Sequence, residues 1–409
     1  MNRDDMQRAN RCQVLRLLLE HEGLSRVELA RRASLQKGTI TNIINEFDSM
    51  GLLATYGGDK PGTRGERLCI RGNGIYLLSI SINRKDYRIR LYAIHGEVIR
   101  SVQRFFDLHV EIGQLVREML RDIEAIAAIA GPDRILCATL AMPGPYIRKE
   151  HAITYVSGFE QLGQIDLEQA LARALPFPVM SQHDAKLSAY AEWSHAAETR
   201  NNPHASLLYI GSVGSGIGAG LITNGGKILM GQTGIAGEIG HMGINFNGPK
   251  NEFGHRGTFE YYASTESALQ YVKDFLIDYP DTVLSEDSTY AELMDAYHAG
   301  DALALGVMQR LARMLGYGIA NLVYALNPDC IVLGADYPDD PDFINTIVYT
   351  VREMVQPEIM DSMIIRYSTL QDDTVLLGGY YYALMRMDDD RTLYERISRI
   401  AHSKSDGKA

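Results

Sequence analysis

Cysteine is scarce in this chain. The four present, Cys12, Cys69, Cys137 and Cys330, are scattered through 409 residues, each within a stretch that contains apolar residues. Such spacing fits neither a disulfide framework nor a cysteine-built metal cluster, and it predicts reduced thiols in the core. Long apolar runs are missing as well. No stretch approaches the roughly 20 residues that a membrane helix needs, and the N-terminus MNRDDMQRAN lacks the apolar centre of a secretion signal, so a cytoplasmic protein with no membrane partner is expected. What is present is an apolar fraction of 46%, enough for packed structure throughout. The chain is too long for one ordinary core, and two or three domains are expected.

Charge is distributed unevenly. The net charge is −11, yet residues 1–74 carry +3 and the remainder −14. A mildly basic head on an acidic body is the pattern of a chain that meets nucleic acid at one end.

The head supports that reading. MQRANRCQVLRLLLEHEG places Val14, Leu15, Leu17, Leu18 and Leu19 for a half-buried helix ending at Gly23. Ser25 and Glu28 form a capping-box pattern that opens a second helix at VELARRAS. After a short turn through Ser34 and Leu35, QKGTITNIINEFDSMG sets Ile40, Ile43, Ile44 and Phe47 at i, i+3, i+4 and i+7, one buried stripe. The opposite face carries Lys37, Thr39, Thr41, Asn42 and Asn45, short or amide-bearing side chains suited to base edges and phosphates. Two strands, LLATYGG and ERLCIRG, then flank a Gly/Pro tip with Lys60, Arg64 and Arg67 nearby. Three helices and a basic hairpin predict a winged helix-turn-helix over 1–74, with the helix from Gln36 reading double-stranded DNA. The alternative is a small helical interaction domain.

The rest predicts an α/β body. IYLLSISINRKDYRIRLYAIHGEVIRSVQRFF alternates as a three-stranded meander, followed by a helix, the buried strand RILCATLAMPGP, a second helix and the strand PVMSQHD. A second set begins at ASLLYIGSVGSGIGAGLITNGGKILMG, two strands around a glycine-rich turn. Two similar lobes, 75–196 and 197–377, imply a cleft between them. A helix at about 378–400 is expected to pack back on the first lobe, leaving 401–409 as a disordered tail.

The segments GSGIGAGLITNGGKILMGQTGIAGEIGH, SQHDAKLSAYAEW, LAMPGP and LNPDCIVLGA resemble the ROK family, named for repressors, open reading frames and kinases. With its winged head the chain resembles the family's repressor branch, regulators of sugar and amino-sugar uptake and of xylose use. The resemblance implies a two-lobed, actin-like (ribonuclease H-like) body with a sugar, sugar derivative or polyol in its cleft. By motif match the sugar-contacting groups are Asp184, Glu238, His241 and Glu260, with His183 beside Asp184. Carboxylates accept paired hydrogen bonds from ring hydroxyls, and an imidazole donates or accepts.

Two departures from the family pattern matter. Its kinases carry an Asp-x-Gly-Gly-Thr turn that holds ATP phosphates and helps place magnesium, where this chain has Ser81-Ile82-Asn83-Arg84-Lys85. Nucleotide binding should fail without those glycines and that carboxylate. The family's structural zinc uses three cysteines in Cys-x-Cys-Gly-x-x-Gly-Cys together with the His of Gly-Glu-x-Gly-His. Asn251, Phe253 and Thr258 stand at the cysteine positions here, so no metal and no cofactor are expected, with the loop held by hydrogen bonds and Phe253 packing inward. The favoured function is therefore a sugar-responsive repressor without enzymatic activity, a homodimer or dimer of dimers. The alternatives are a sugar kinase with an added head and a regulator governed by a partner protein.

Overall fold

In the computed structural model, residues 3–21, 23–49, 52–57, 66–70, 74–144, 146–147, 152–153, 159–202, 204–223, 226–251, 254–370, 373–386 and 391–402 are described. Their contacts divide into two units. One comprises Met1–Pro143, Gly158–Gln182 and Gly379–Ala409, and the other Gly144–Ser157 and His183–Gly378.

The head forms as its apolar pattern requires. Helices Arg3–Glu20, Arg26–Arg32 and Lys37–Ser49 precede strands Leu53–Tyr56 and Arg67–Ile70, which pair antiparallel with Leu53 opposite Ile70. All four residues of the Ile40, Ile43, Ile44, Phe47 stripe are buried. The capping box is complete: the Glu28 amide donates to Ser25 Oγ at 3.2 Å, and the Ser25 amide donates to Glu28 Oε2 at 2.9 Å. Ser34 turns the chain between the second and third helices with φ +54°, a left-handed conformation that costs a non-glycine residue about 1–2 kcal/mol. The hairpin tip with Lys60 and Arg64 lies outside the described residues, as does Phe253.

Both units then build a five-stranded sheet on one plan. In the first, the order is Val98–Phe105, Asp86–Ala93, Tyr76–Ile82, Ile135–Met142, Val179–His183. In the second it is Lys227–Ile228, Gly216–Thr223, Leu207–Val213, Cys330–Ala335, Ile364–Tyr367. Each opens with an antiparallel meander and continues in parallel, Tyr76–Ile82 beside Ile135–Met142 and Leu207–Val213 beside Cys330–Ala335. Parallel strands are covered on both faces and so read as continuous apolar runs. Ile135–Met142 is buried at every position.

Within the first unit the C-terminal segment makes hydrogen bonds to the sheet region. The Tyr380 hydroxyl donates to the Ile94 carbonyl at 2.9 Å and the Arg396 guanidinium to that of Ile135 at 2.8 Å. It does so as two helices, Thr374–Arg386 and Arg391–His402, where the sequence suggested one. Helix Asp184–His195, part of the 75–196 segment, packs on strands Leu207–Val213 and Gly216–Thr223 and falls in the second unit. Cys137 and Cys330 are buried and Cys69 is half-buried, and none of the three is in a disulfide. The side chain of Cys12 is outside the described residues.

The second unit's core centres on the helix Ala302–Leu326. Phe259, fully buried, packs where Gly318 leaves room, and a Cβ at that position would overlap its ring. Gly318→Ala is expected to destabilise the protein by about 1–3 kcal/mol through overpacking, despite alanine's helix-propensity advantage of about 1 kcal/mol. The measurement is the urea midpoint; an unchanged or raised midpoint would contradict this account of the contact.

Candidate functional site

The candidate sugar groups all fall in the second unit, at His183–Asp184, on the turn that carries Glu238 and His241, and on the helix that carries Glu260. Strand Val179–His183 ends at His183, and the helix begins at Asp184, whose carboxylate accepts the Ala185 amide at 2.6 Å. A carboxylate in the first turn of a helix is favoured by the free amides there. Gly218 and Gly220 of the facing strand let that helix approach: a Cβ at Gly220 would lie 2.6 Å from the Ala189 Cβ and 2.8 Å from the Ala185 carbonyl. These two glycines of the glycine-rich turn thus serve packing.

Glu238 and His241 lie on the next piece. Gly237 adopts φ +101°, open to glycine at little cost, and its backbone lies against the Ala219 carbonyl. The chain then makes a tight turn over Ile239–His241. Glu260 sits on helix Phe259–Ala263, fixed by the buried Phe259.

These residues meet. His183 Nε2 is 3.4 Å from Asp184 Oδ1 and 3.7 Å from Glu238 Oε1, while His241 Nδ1 is 3.3 Å from Glu260 Oε1. Their exposures differ, and the difference separates roles: the side chains of Asp184 and His241 are 32% exposed, whereas that of His183 is 5% exposed. His183 lies against Gly144, where a Cβ would overlap the ring and sit 3.0 Å from Glu238 Oε1. Its geometry suits bridging two carboxylates more than meeting a ligand. The His255 ring is edge-on to His241 with centroids 6.3 Å apart. Sequence reasoning overlooked Lys186, 1% exposed, whose ammonium donates to the Gly234 carbonyl.

The position of the kinase phosphate turn is closed by its own side chains. Asn83 Oδ1 accepts the Lys85 amide at 2.7 Å and the Asp86 amide at 3.0 Å, and Asn83 Nδ2 donates to Asp86 Oδ1 at 2.6 Å. Gln103 Nε2 donates to the other oxygen of Asp86. Two backbone donors of this turn, the amides of Lys85 and Asp86, are thus already used.

The family zinc does not fit the loop 241–258. Asn251 Oδ1 accepts the His255 amide at 3.0 Å, and the Thr258 hydroxyl is enclosed with no hydrogen-bond partner among the described residues. No thiolate is at hand, and the described residues hold no group of three or more His, Cys, Asp or Glu side chains suited to a metal. Instead the Ile244 amide donates to the Gly257 carbonyl at 2.9 Å, the Gly257 amide to that of Pro249 at 2.8 Å and Arg256 to that of Gly248 at 3.2 Å.

In the head, Lys37, Thr41, Asn42 and Asn45 are exposed on the third helix and Thr39 is half-buried. Thr41 also donates back to the Lys37 carbonyl at 2.9 Å. Arg67 is engaged within the head: its Nη1 donates to the Gly23 carbonyl at 3.1 Å and to Glu28 at 3.3 Å. Any phosphate contact from it must use the remaining guanidinium donors.

The Glu260 carboxylate, 3.3 Å from His241 Nδ1, raises the pKa of His241; burial opposes this, and Glu238 adds to the rise. A folded-state pKa above the unfolded one contributes stability that is complete below about pH 6.5 and lost as pH rises through the folded value. Glu260→Gln is expected to lower the His241 pKa, read by imidazole NMR titration. Its melting-temperature deficit should be largest near pH 6 and shrink toward pH 9; a deficit independent of pH would show that the pair is not ionic.

Among the described residues no helix is long and apolar enough to cross a membrane. The chain is 24% identical over 379 residues to the xylose repressor of Bacillus subtilis (strain 168), covering 91% of this chain and 94% of that one. It is 26% identical over 348 residues to the DNA-binding transcriptional dual regulator NagC of Escherichia coli (strain K12), with 82% of each covered. A glucokinase of Thermotoga maritima matches at 25% identity over 315 residues, 74% of this chain and 95% of the enzyme. In fold it resembles a crystallised ROK family transcriptional regulator, a homologue of the E. coli MLC protein, with a TM-score of 0.82 at 21% identity, covering 97% of this chain and 100% of that one. The ROK family pattern itself matches residues 107–386, and with the two sheets of one plan and the Gly-Glu-x-Gly-His turn in place, the chain belongs to the ROK family.

Proposed function

We propose that this protein is a sugar-responsive transcriptional repressor of carbohydrate uptake or catabolism genes, and that it binds its sugar without phosphorylating it. The observation that carries this reading is the pairing, in one chain, of an exposed polar reading helix with a phosphate turn closed by Asn83. The first supplies a DNA-binding face and the second removes the kinase alternative. Repressors named for xylose and N-acetylglucosamine are among its relatives, so pentoses and amino sugars are the first ligands to try.

Asp184, Glu238, His241 and Glu260 are the ligand-binding groups in this reading, with His183 holding Asp184 and Glu238 in place. Three carboxylates repel an anion brought close to them, which favours a neutral sugar, sugar derivative or polyol. Lys37, Thr39, Thr41, Asn42 and Asn45 meet DNA. Two heads are required on a two-fold operator, so the functional species is a homodimer or a dimer of dimers.

Sugar and operator must then share a coupling free energy, typically about 1–3 kcal/mol. Asp184→Ala and Glu238→Ala should abolish the effect of sugar on DNA affinity while keeping that affinity and its salt dependence. Lys37→Ala should weaken DNA binding, reduce the salt slope by about 1 if it meets a phosphate, and leave sugar affinity as it was. DNA titrations of each variant with and without D-xylose or N-acetyl-D-glucosamine read these outcomes; a full sugar response in both carboxylate variants would place the effector elsewhere.

The loop 241–258 works without zinc in this reading. Metal analysis of protein purified without chelators should find well below one zinc per chain, and a chelator should leave the melting temperature unchanged. Stoichiometric zinc whose removal lowers stability would overturn this.

A further inference from the structure

Lys186 is the third residue of the helix Asp184–His195, where burial disfavours a cation. Its side chain is 1% exposed, and burial pushes its pKa down. A positive charge in a helix's first turn also opposes the free amides there. Tight packing leaves the stem no route to solvent, since a Cβ at Gly220 would lie 2.8 Å from the Lys186 Cα. A methionine would fill the same volume without desolvating a charge, and such exchanges are often neutral or stabilising. The ammonium therefore has a purpose other than packing.

Its partners identify that purpose. The ammonium donates to the Gly234 carbonyl, at the start of the turn that delivers Glu238. Gly234 and Gly237 both adopt left-handed backbone, φ +96° and +101°, and the Gly237 Cβ position would be 3.8 Å from Lys186 Cε. The charge of Glu238 attracts the ammonium, while on its other side Glu238 Oε1 is 3.7 Å from His183 Nε2. Two glycines make this turn easy to deform, and a cation beneath it ties the carbonyl at its start, while the Glu238 charge attracts it from the other end.

We propose that Lys186 is a positioning residue for ligand binding: it clamps the Gly234–Glu238 turn from within and sets the orientation in which Glu238 accepts sugar hydroxyls. The inference rests on the reading of Glu238 as a sugar-binding group. It also explains how Asp184, Glu238 and Glu260 can share a small region, because the Lys186 ammonium offsets part of their negative charge.

The test uses the full-length protein, with D-xylose, N-acetyl-D-glucosamine and D-glucose as probes in titration calorimetry. For the probe that the wild type binds, Lys186→Met should weaken binding at least about tenfold while leaving the melting temperature equal or higher. Lys186→Arg, which keeps a charge and a donor, should recover most of the affinity. A lysine that is only structural gives the opposite pattern, a lower melting temperature with unchanged sugar affinity. Should Lys186→Met fail to fold, Lys186→Gln, which keeps a donor toward Gly234 without the charge, takes its place with the same expected loss. Wild-type affinity in the folded neutral variant overturns this inference alone. Failure of the wild type to bind any of the three probes overturns the sugar reading, and this inference with it.

Discussion

The candidate site depends on one close approach, that of helix Asp184–His195 to strand Gly216–Thr223. Gly218 and Gly220 lack the side chains that would hold the helix off, and the Ala185 and Ala189 methyls occupy the space. Close packing of this kind transmits position rigidly, because interiors have few voids to absorb a shift. The helix start is thereby fixed against the second sheet, and three consecutive features inherit their place from it: His183 at the strand end, Asp184 in the first turn and Lys186 beneath the facing turn. Phe259 does the same for Glu260 from the other side, seated against Gly318 of the long helix.

On this scaffold the site is arranged by charge. Three carboxylates in one region would repel one another and take up protons if left alone. Here each has a basic neighbour: His183 lies between Asp184 and Glu238, Lys186 lies beneath Glu238, and His241 contacts Glu260. His183 and Lys186 are enclosed, whereas Asp184 and His241 keep exposed edges. The outer edge thus offers a carboxylate acceptor and an imidazole, a pair suited to a ligand rich in hydroxyl groups.

The two departures from the family's chemistry are closed by the same device. Asn83 accepts the amides of Lys85 and Asp86 in the turn where kinases hold phosphate, and Asn251 accepts the amide of His255 in the loop where relatives hold zinc. An asparagine side chain mimics a backbone turn and satisfies donors two to four residues on. The hydrogen-bond demand of these amides is thereby met locally.

The sequence by itself determined the elements whose physics is local. The capping box of Ser25 and Glu28, the apolar stripe from Ile40 to Phe47, the two meanders and the buried parallel strands follow from patterns a few residues long, and each has the form its pattern implies. The candidate sugar residues were legible only through resemblance to a family, since carboxylates and histidines spread from 183 to 260 carry no periodicity of their own. Tertiary structure decided the rest. Gly218 and Gly220 could serve phosphate or packing until the helix against them was known, and Arg67 looked free until Gly23 and Glu28 were found to hold it. Lys186, a lysine in an ordinary helical stretch, revealed nothing until its ammonium was enclosed beneath Gly234. Burial and electrostatic pairing are properties of space, and a chain read in one dimension does not contain them.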